Sequence, residues 1–317
     1  MSKSINSVHG KLNVNCLGST LMHEHIISVN WNMRQCYEKW FNYDEFIEYA
    51  VKDVMLAKDA GIKTLVDVTP VCLGRDIRAV AEVAQRTGMQ IIAATGFFHT
   101  EQQWMFNRSI DSFLKYMMID IEEGIDGTAI HPGVIKCCTD LQGLTPINKA
   151  LLTASAIAAQ KSGLPISTHA SWQNKSGLMQ LKLLTRHQIN PSGILIGHCG
   201  DTNDISYLEE LLRYGCYIGL DRFGDNAKNP LENRVDTMLR LCDKGYINQI
   251  MVSHDHVCYV DIGNNEWCST RNTEPTDYTY NFSYFNTYVI PLLKEHGFQQ
   301  HDIDQILVEN PRRYFSH

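Results

Sequence analysis

Four short apolar runs in this chain end in side chains able to bind a metal, and a fifth carries a lysine. The run 21–25 reads Leu-Met-His-Glu-His, and residues two apart on a strand share a side, so His23 and His25 face one way and Glu24 the other. Alone, such a pair is equally a satisfied polar couple beside a loop. His169 ends the run ISTH, His198 ends LIGH and Asp255 ends MVSHD. Buried polar groups converging from four strand ends are costly unless they share a partner, and a divalent cation is such a partner. Nitrogen and oxygen donors without thiolates suit zinc, iron, cobalt or manganese.

Lys136 stands inside GVIKCC, a poor place for a free ammonium. Either a nearby carboxylate pairs with it, or the neutral amine takes up carbon dioxide and becomes a carbamate whose two oxygens bridge two cations. Asp201 lies three residues beyond His198, and Arg222 follows the run CYIGLD. Each alone is an ordinary surface charge; at strand ends they would pair, Arg222 keeping Asp201 a carboxylate. Cys258 and Trp267 follow Asp255. A nucleophilic Cys258 with His254 or His256 as base is weighed as a rival, but those histidines flank Asp255 and should point to the opposite side. Phe97, Phe98, Trp104 and Phe106 form either core packing or an apolar substrate wall.

What must position these groups is a set of strands. Eight β-branched runs, 21–25, 63–69, 90–96, 133–137, 164–169, 193–198, 216–221 and 249–255, alternate with helical spacing at 46–60, 77–87, 109–123, 147–162, 177–187, 205–214 and 234–244. Near-continuous apolar strands between amphipathic helices imply a parallel sheet covered on both faces. Eight such units predict a closed (β/α)8 TIM barrel, whose chemistry sits at the C-terminal strand ends, where the candidate residues fall. The rival, an open doubly wound sheet, lacks its glycine-rich phosphate fingerprint. No linker or compositional break divides residues 1–317, so one domain is expected. The segment 256–276 has no helical period and reads as a functional loop.

The net charge of −7, with no clustered basic face, argues against nucleic acid as a partner. No stretch is apolar enough to span a bilayer and no signal peptide is evident, so a cytoplasmic enzyme is expected, without membrane attachment. Ten cysteines without a CxxC pair fit small buried hydrophobes better than a disulfide framework.

The ordered set HEH, lysine, histidine, histidine, aspartate on the first, fourth, fifth, sixth and eighth strands resembles the phosphotriesterase family of the amidohydrolase superfamily. Its phosphotriesterase-like lactonases are most similar. The likeness runs from LGSTLMHEH through GVIKCCTD, PISTH, ILIGHCGDT, YIGLDRFG and MVSHD to VENPRRYF. It implies a binuclear centre in which His23, His25 and Asp255 hold one cation, His169 and His198 the other, and N6-carboxylated Lys136 bridges them. It further implies zinc, iron, cobalt or manganese, a homodimer, and hydrolysis of lactones with weaker organophosphate triesterase activity. Arg222, Cys258 and Trp267 match positions that shape the lactone pocket, whereas Phe98 stands where many of these lactonases have tyrosine. In that setting Asp255 is the general acid–base, Asp201 and Arg222 relay its proton or tune it, and Phe97, Phe98 and Trp267 wall an apolar acyl tail. The competing readings are a phosphotriesterase, another ester or amide hydrolase, and a metal-dependent barrel that binds without turnover.

Overall fold

The computed structural model describes residues 3–262 and 281–317; Trp267, named above, lies outside them, as does most of the segment 256–276. The chain begins with an antiparallel hairpin of β1 (Ser4–Ser7) and β2 (Gly10–Asn13). Then come β3 (Thr20–Ser28), β4 (Thr64–Asp67), β5 (Gln90–Gly96), β6 (Val134–Cys138), β7 (Ile166–His169), β8 (Ile194–Ile196), β9 (Tyr217–Leu220), β10 (Ile250–Val252) and β11 (Val257–Val260). These nine form one all-parallel sheet in the order β10-β9-β8-β7-β6-β5-β4-β3-β11.

The sheet closes because its last strand is split. β10 pairs with β9, the chain breaks stride over residues 253–256, and β11 then pairs with β3, Val257 opposite His25. The Asp255 N–H donates to the His23 carbonyl at 3.1 Å, and the His25 N–H to the His256 carbonyl at 2.9 Å, so the break is itself the seam. Eight barrel positions result, as predicted. The hairpin and β11 are additions that the sequence patterns do not mark.

Helices cover the outside. Their starts carry side-chain caps, Asn42 for Tyr43–Asp59, Asp76 for Ile77–Thr87 and Thr145 before Pro146–Ser162. Gly88 and Gly163 end two of them in the left-handed conformation that glycine adopts without Cβ strain. No helix among the described residues is long and apolar enough to cross a membrane.

Two apolar clusters fill the molecule. One lies between sheet and helices. The other plugs the barrel interior at its N-terminal end, where Met22, Val66, Ile92, Val134, Leu195 and Met251 meet Tyr314 and Phe315. A register irregularity between β3 and β4 at Leu21 and Glu24 resets the alternation, so that Met22 joins this plug and His23 stands above it. The polar residues occupy the opposite, C-terminal end.

Candidate metal centre

Each imidazole is set by the strand that carries it. His23 and His25 project from β3, His169 ends β7, and His198 follows β8 in a left-handed turn with φ +61°. Asp255 has φ +53° in the broken last strand. Left-handed backbone in non-glycine residues costs energy and recurs at functional sites. Gly197 makes the approach possible: a Cβ there would lie 2.3 Å from the Thr168 carbonyl oxygen and 3.1 Å from His23 Cε1.

The donor atoms converge. His25 Nε2 is 3.1 Å and His23 Nε2 3.6 Å from Asp255 Oδ1, and His198 Nε2 is 2.8 Å from His169 Nδ1. Lys136 Nζ lies 2.8 Å from His23 Nε2 and donates to the Thr168 carbonyl at 3.5 Å. All of these but His169 and Asp255 are buried.

The opposite nitrogens have partners that sequence reasoning missed. His23 Nδ1 is 2.7 Å from Asp221 Oδ2, and His198 Nδ1 is 3.1 Å from Asp221 Oδ1. His169 Nε2 is 3.4 Å from Asp140 Oδ2, and His25 Nδ1 is 2.8 Å from Thr69 Oγ1. CYIGLD is an apolar run ending in a carboxylate, the same pattern as MVSHD, and is the one sequence signal for Asp221.

These outer partners test whether a cation fits. A carboxylate only accepts, so the N–H of neutral His198 and His169 belongs on the side facing Asp221 and Asp140. Both rings are neutral. Burial, reinforced by Arg222, pulls His198 well below the usual imidazole range, and burial pulls His169 to about 3 against the opposing pull of Asp140. Their inner nitrogens then present two lone pairs to each other at 2.8 Å, an arrangement that repels unless a cation lies with them. The donor set therefore fits metal ions.

Lys136 meets only the His23 ring and the Thr168 carbonyl, neither of which balances a charge. Burial lowers its pKa, and no carboxylate among the described residues lies within ion-pair reach of Nζ. Asp255 is held differently. Arg222 Nε donates to its Oδ2 at 2.8 Å, and Arg222 Nη1 donates to Asp201 Oδ2 at 2.5 Å, while Arg234 Nη2 reaches Asp201 Oδ1 at 3.0 Å. Burial alone would raise the Asp255 carboxyl, but Arg222 and the imidazoles hold it well below the carboxylate range. Burial likewise opposes the Arg222 charge, and Asp255 and Asp201 outweigh it.

His23, His25, Lys136, His169, Arg222 and Asp255 line a cavity of about 180 Å³, closed on its apolar side by Leu73, Phe98, Val257 and Val260. Phe98 packs against His169 with ring centroids 5.4 Å apart. Two expected wall residues are elsewhere. Phe97 turns to the other side of β5, against Trp104 and Phe113, because adjacent residues of an extended chain face opposite ways. Cys258 is likewise out of parity with Asp255: its thiol donates to Asp53 Oδ2 at 3.5 Å behind the sheet, and Val257 takes the place on the cavity. That parity also disposes of the nucleophilic thiol, since burial pushes Cys258 well above the ordinary thiol range.

Known proteins resemble this chain in sequence and fold. The chain is 37% identical over 312 residues to an aryldialkylphosphatase of Saccharolobus solfataricus, covering 95% of each chain. It is 28% identical to an N-acetyltaurine hydrolase of Dictyostelium discoideum, covering 93% of this chain and 79% of that one. A solved structure of the phosphotriesterase from Mycobacterium tuberculosis superposes with a TM-score of 0.90 at 34% identity, over 99% of this chain and 98% of the other. Residues 3–315 match the sequence profile of the phosphotriesterase family, and this TIM-barrel hydrolase belongs to that family.

Proposed function

We propose that this hydrolase opens the ring ester of lactones carrying an apolar tail, of the N-acyl homoserine type, with weaker activity on organophosphate triesters. The observation that carries the reading is the surface beside the metal cavity. A groove of about 710 Å³, lined by Val29, Trp31, Val71, Leu73, Phe98 and Val260 among others, shares Leu73, Phe98 and Val260 with the cavity, so a tail in the groove leaves an ester against the imidazoles.

His23, His25 and Asp255 would hold one divalent cation and His169 and His198 another, with Lys136, carboxylated on Nζ, joining them. Zinc is the first choice, then iron, cobalt or manganese. When bound, such ions make water nucleophilic near neutral pH and polarise the carbonyl oxygen. Asp255 accepts the proton released as water adds to the carbonyl and returns it to the leaving alkoxide. Arg222 cannot give up its own proton, so it tunes and orients Asp255 rather than relaying, and Asp201 fixes Arg222 from behind. Phe98 supplies apolar wall and no hydroxyl. The proposal takes residues 1–317 as one domain, acting as a cytoplasmic homodimer on a small-molecule substrate.

A panel comparing kcat/KM for lactones of varied ring and tail with that for a paraoxon-like triester and an N-acyl amide, on protein of measured metal content, tests the reading. Long-tailed lactones should lead; a leading triester or amide would overturn it. The names of the relatives favour that second reading, in which the same centre acts on a phosphotriester or an N-acylated amine.

A further inference from the structure

Four imidazoles face the candidate centre, and each has its outer nitrogen against a neighbour. Three outer partners serve them: Thr69 for His25, Asp140 for His169, and Asp221 for both His23 and His198. Of these three, Asp221 alone serves two rings of the centre, and they belong to its different halves. It reaches His23 through Oδ2 at 2.7 Å and His198 through Oδ1 at 3.1 Å. It also accepts the backbone N–H of His198 at 2.9 and 3.0 Å, which helps hold that residue in its left-handed turn. The carboxylate is almost wholly buried, at the end of β9.

We infer that Asp221 is a positioning residue that links the two metal sites, so that filling one prepares the other. The inference rests on the binuclear reading above. An ion on His23 Nε2 would fix that ring, and the 2.7 Å contact of its Nδ1 with Oδ2 would then set the plane of the Asp221 carboxylate. The same plane directs Oδ1 at His198 Nδ1–H, which turns His198 Nε2 inward beside His169 Nδ1. The ordering cost of the second site is thereby met in part by the first ion, and by linkage the effect runs equally in the other direction. Thr69 holds one ring, and Asp140, set between His169 at 3.4 Å and His99 at 3.5 Å, touches only one ring of the centre, so neither joins its two halves.

Cobalt(II) titration of metal-free protein, followed by visible absorption and by the exchange-protected imidazole N–H proton resonances of the loaded sites, separates these roles. In the wild type the second ion should bind on the order of tenfold more tightly than independence allows. Asp221→Asn, which leaves one acceptor oxygen for two imidazole nitrogens and the His198 backbone N–H, should weaken both ions on the order of 10–100-fold and reduce that cooperativity. It should also expose one of the two protected N–H resonances to exchange. Asp140→Asn should weaken one ion only and leave the remaining cooperativity intact; because Lys136 is untouched in both variants, any bridging by it cancels. Asp221→Ser covers the case in which the amide disturbs folding, which the melting curve of metal-free protein reveals. If the Asp221 variants weaken only one ion or neither, the inference fails while the metal centre stands. If the wild type binds fewer than two ions, the binuclear reading fails and takes the inference with it.

Discussion

Residues 253–256 carry two kinds of histidine–carboxylate cluster back to back, and either could be taken for a metal site by composition. Outward, His254 Nδ1 donates to Glu24 Oε1 at 2.7 Å while its Nε2 accepts the Phe285 N–H at 3.0 Å, so both ring nitrogens are satisfied by protein. His256 Nε2 donates to Asp53 Oδ2 at 2.5 Å, and the Cys258 thiol shares that oxygen. Inward, His198 and His169 aim lone pairs at one another across 2.8 Å beside a cavity. A ring such as His254, with a donor and an acceptor already in place, builds structure. Ring nitrogens left facing each other ask for a cation.

The largest effect should come from the inward face. Asp255→Asn keeps the shape and removes the base, so kcat should fall about 10²–10⁴-fold, measured on metal-replete protein. Wild-type turnover in such a sample would remove Asp255 from the chemistry.

On the outward face the effect should be on stability. His254→Ala leaves Glu24 short of one partner and the Phe285 N–H without an acceptor, costing about 1–3 kcal/mol in urea unfolding, with kcat per folded molecule retained. Equal loss of activity and stability would erase the contrast between the faces.

Acid should sharpen the contrast. Burial holds His169 at about 3 in the folded chain against the usual imidazole value of 6.5 unfolded, so below 6.5 the unfolded chain binds the extra proton and metal-free protein loses stability as pH falls toward 3. Asp140, held at about 2 chiefly by its hydrogen bond with His169, adds a loss below the usual carboxylate value of 3.8, in the same direction. The urea midpoint of metal-free protein should therefore drop between pH 7 and 5, by roughly 1–2 kcal/mol in stability from His169. Flat stability over that range would show that the ring is not neutral when buried.

The smallest effect tests wall assignment. Cys258→Ala should leave KM within about twofold and cost about 1 kcal/mol of stability, because its thiol faces Asp53. Val257→Trp, projecting into the cavity, should change KM strongly with little change in melting temperature.

Much of this was legible before any coordinates. The strands announce themselves because a parallel sheet buried on both faces needs unbroken apolar runs, and Ile77–Thr87 emerges with the bounds its spacing predicted. The inward residues were legible because chemistry in a barrel gathers at strand ends. Asp140 and Thr69 were not, and Asp221 only as a carboxylate ending CYIGLD, since a single acid or hydroxyl at a strand end looks like any other until the ring it holds is in view. Phe97 and Cys258 were misplaced by one residue of parity, the smallest error that turns a side chain from a cavity to the opposite layer. The parity that turned His254 and His256 away from Asp255 would have turned Cys258 away as well.

Metal removal and return is the most direct test of the central claim, that these inward nitrogens and Asp255 hold two divalent cations needed for hydrolysis. Exhaustive chelation followed by stepwise addition of zinc or cobalt, with bound metal counted by mass spectrometry and hydrolysis of the best lactone followed in parallel, should abolish activity and restore it as two ions per chain are bound. Undiminished hydrolysis by protein shown to be metal-free would contradict the account.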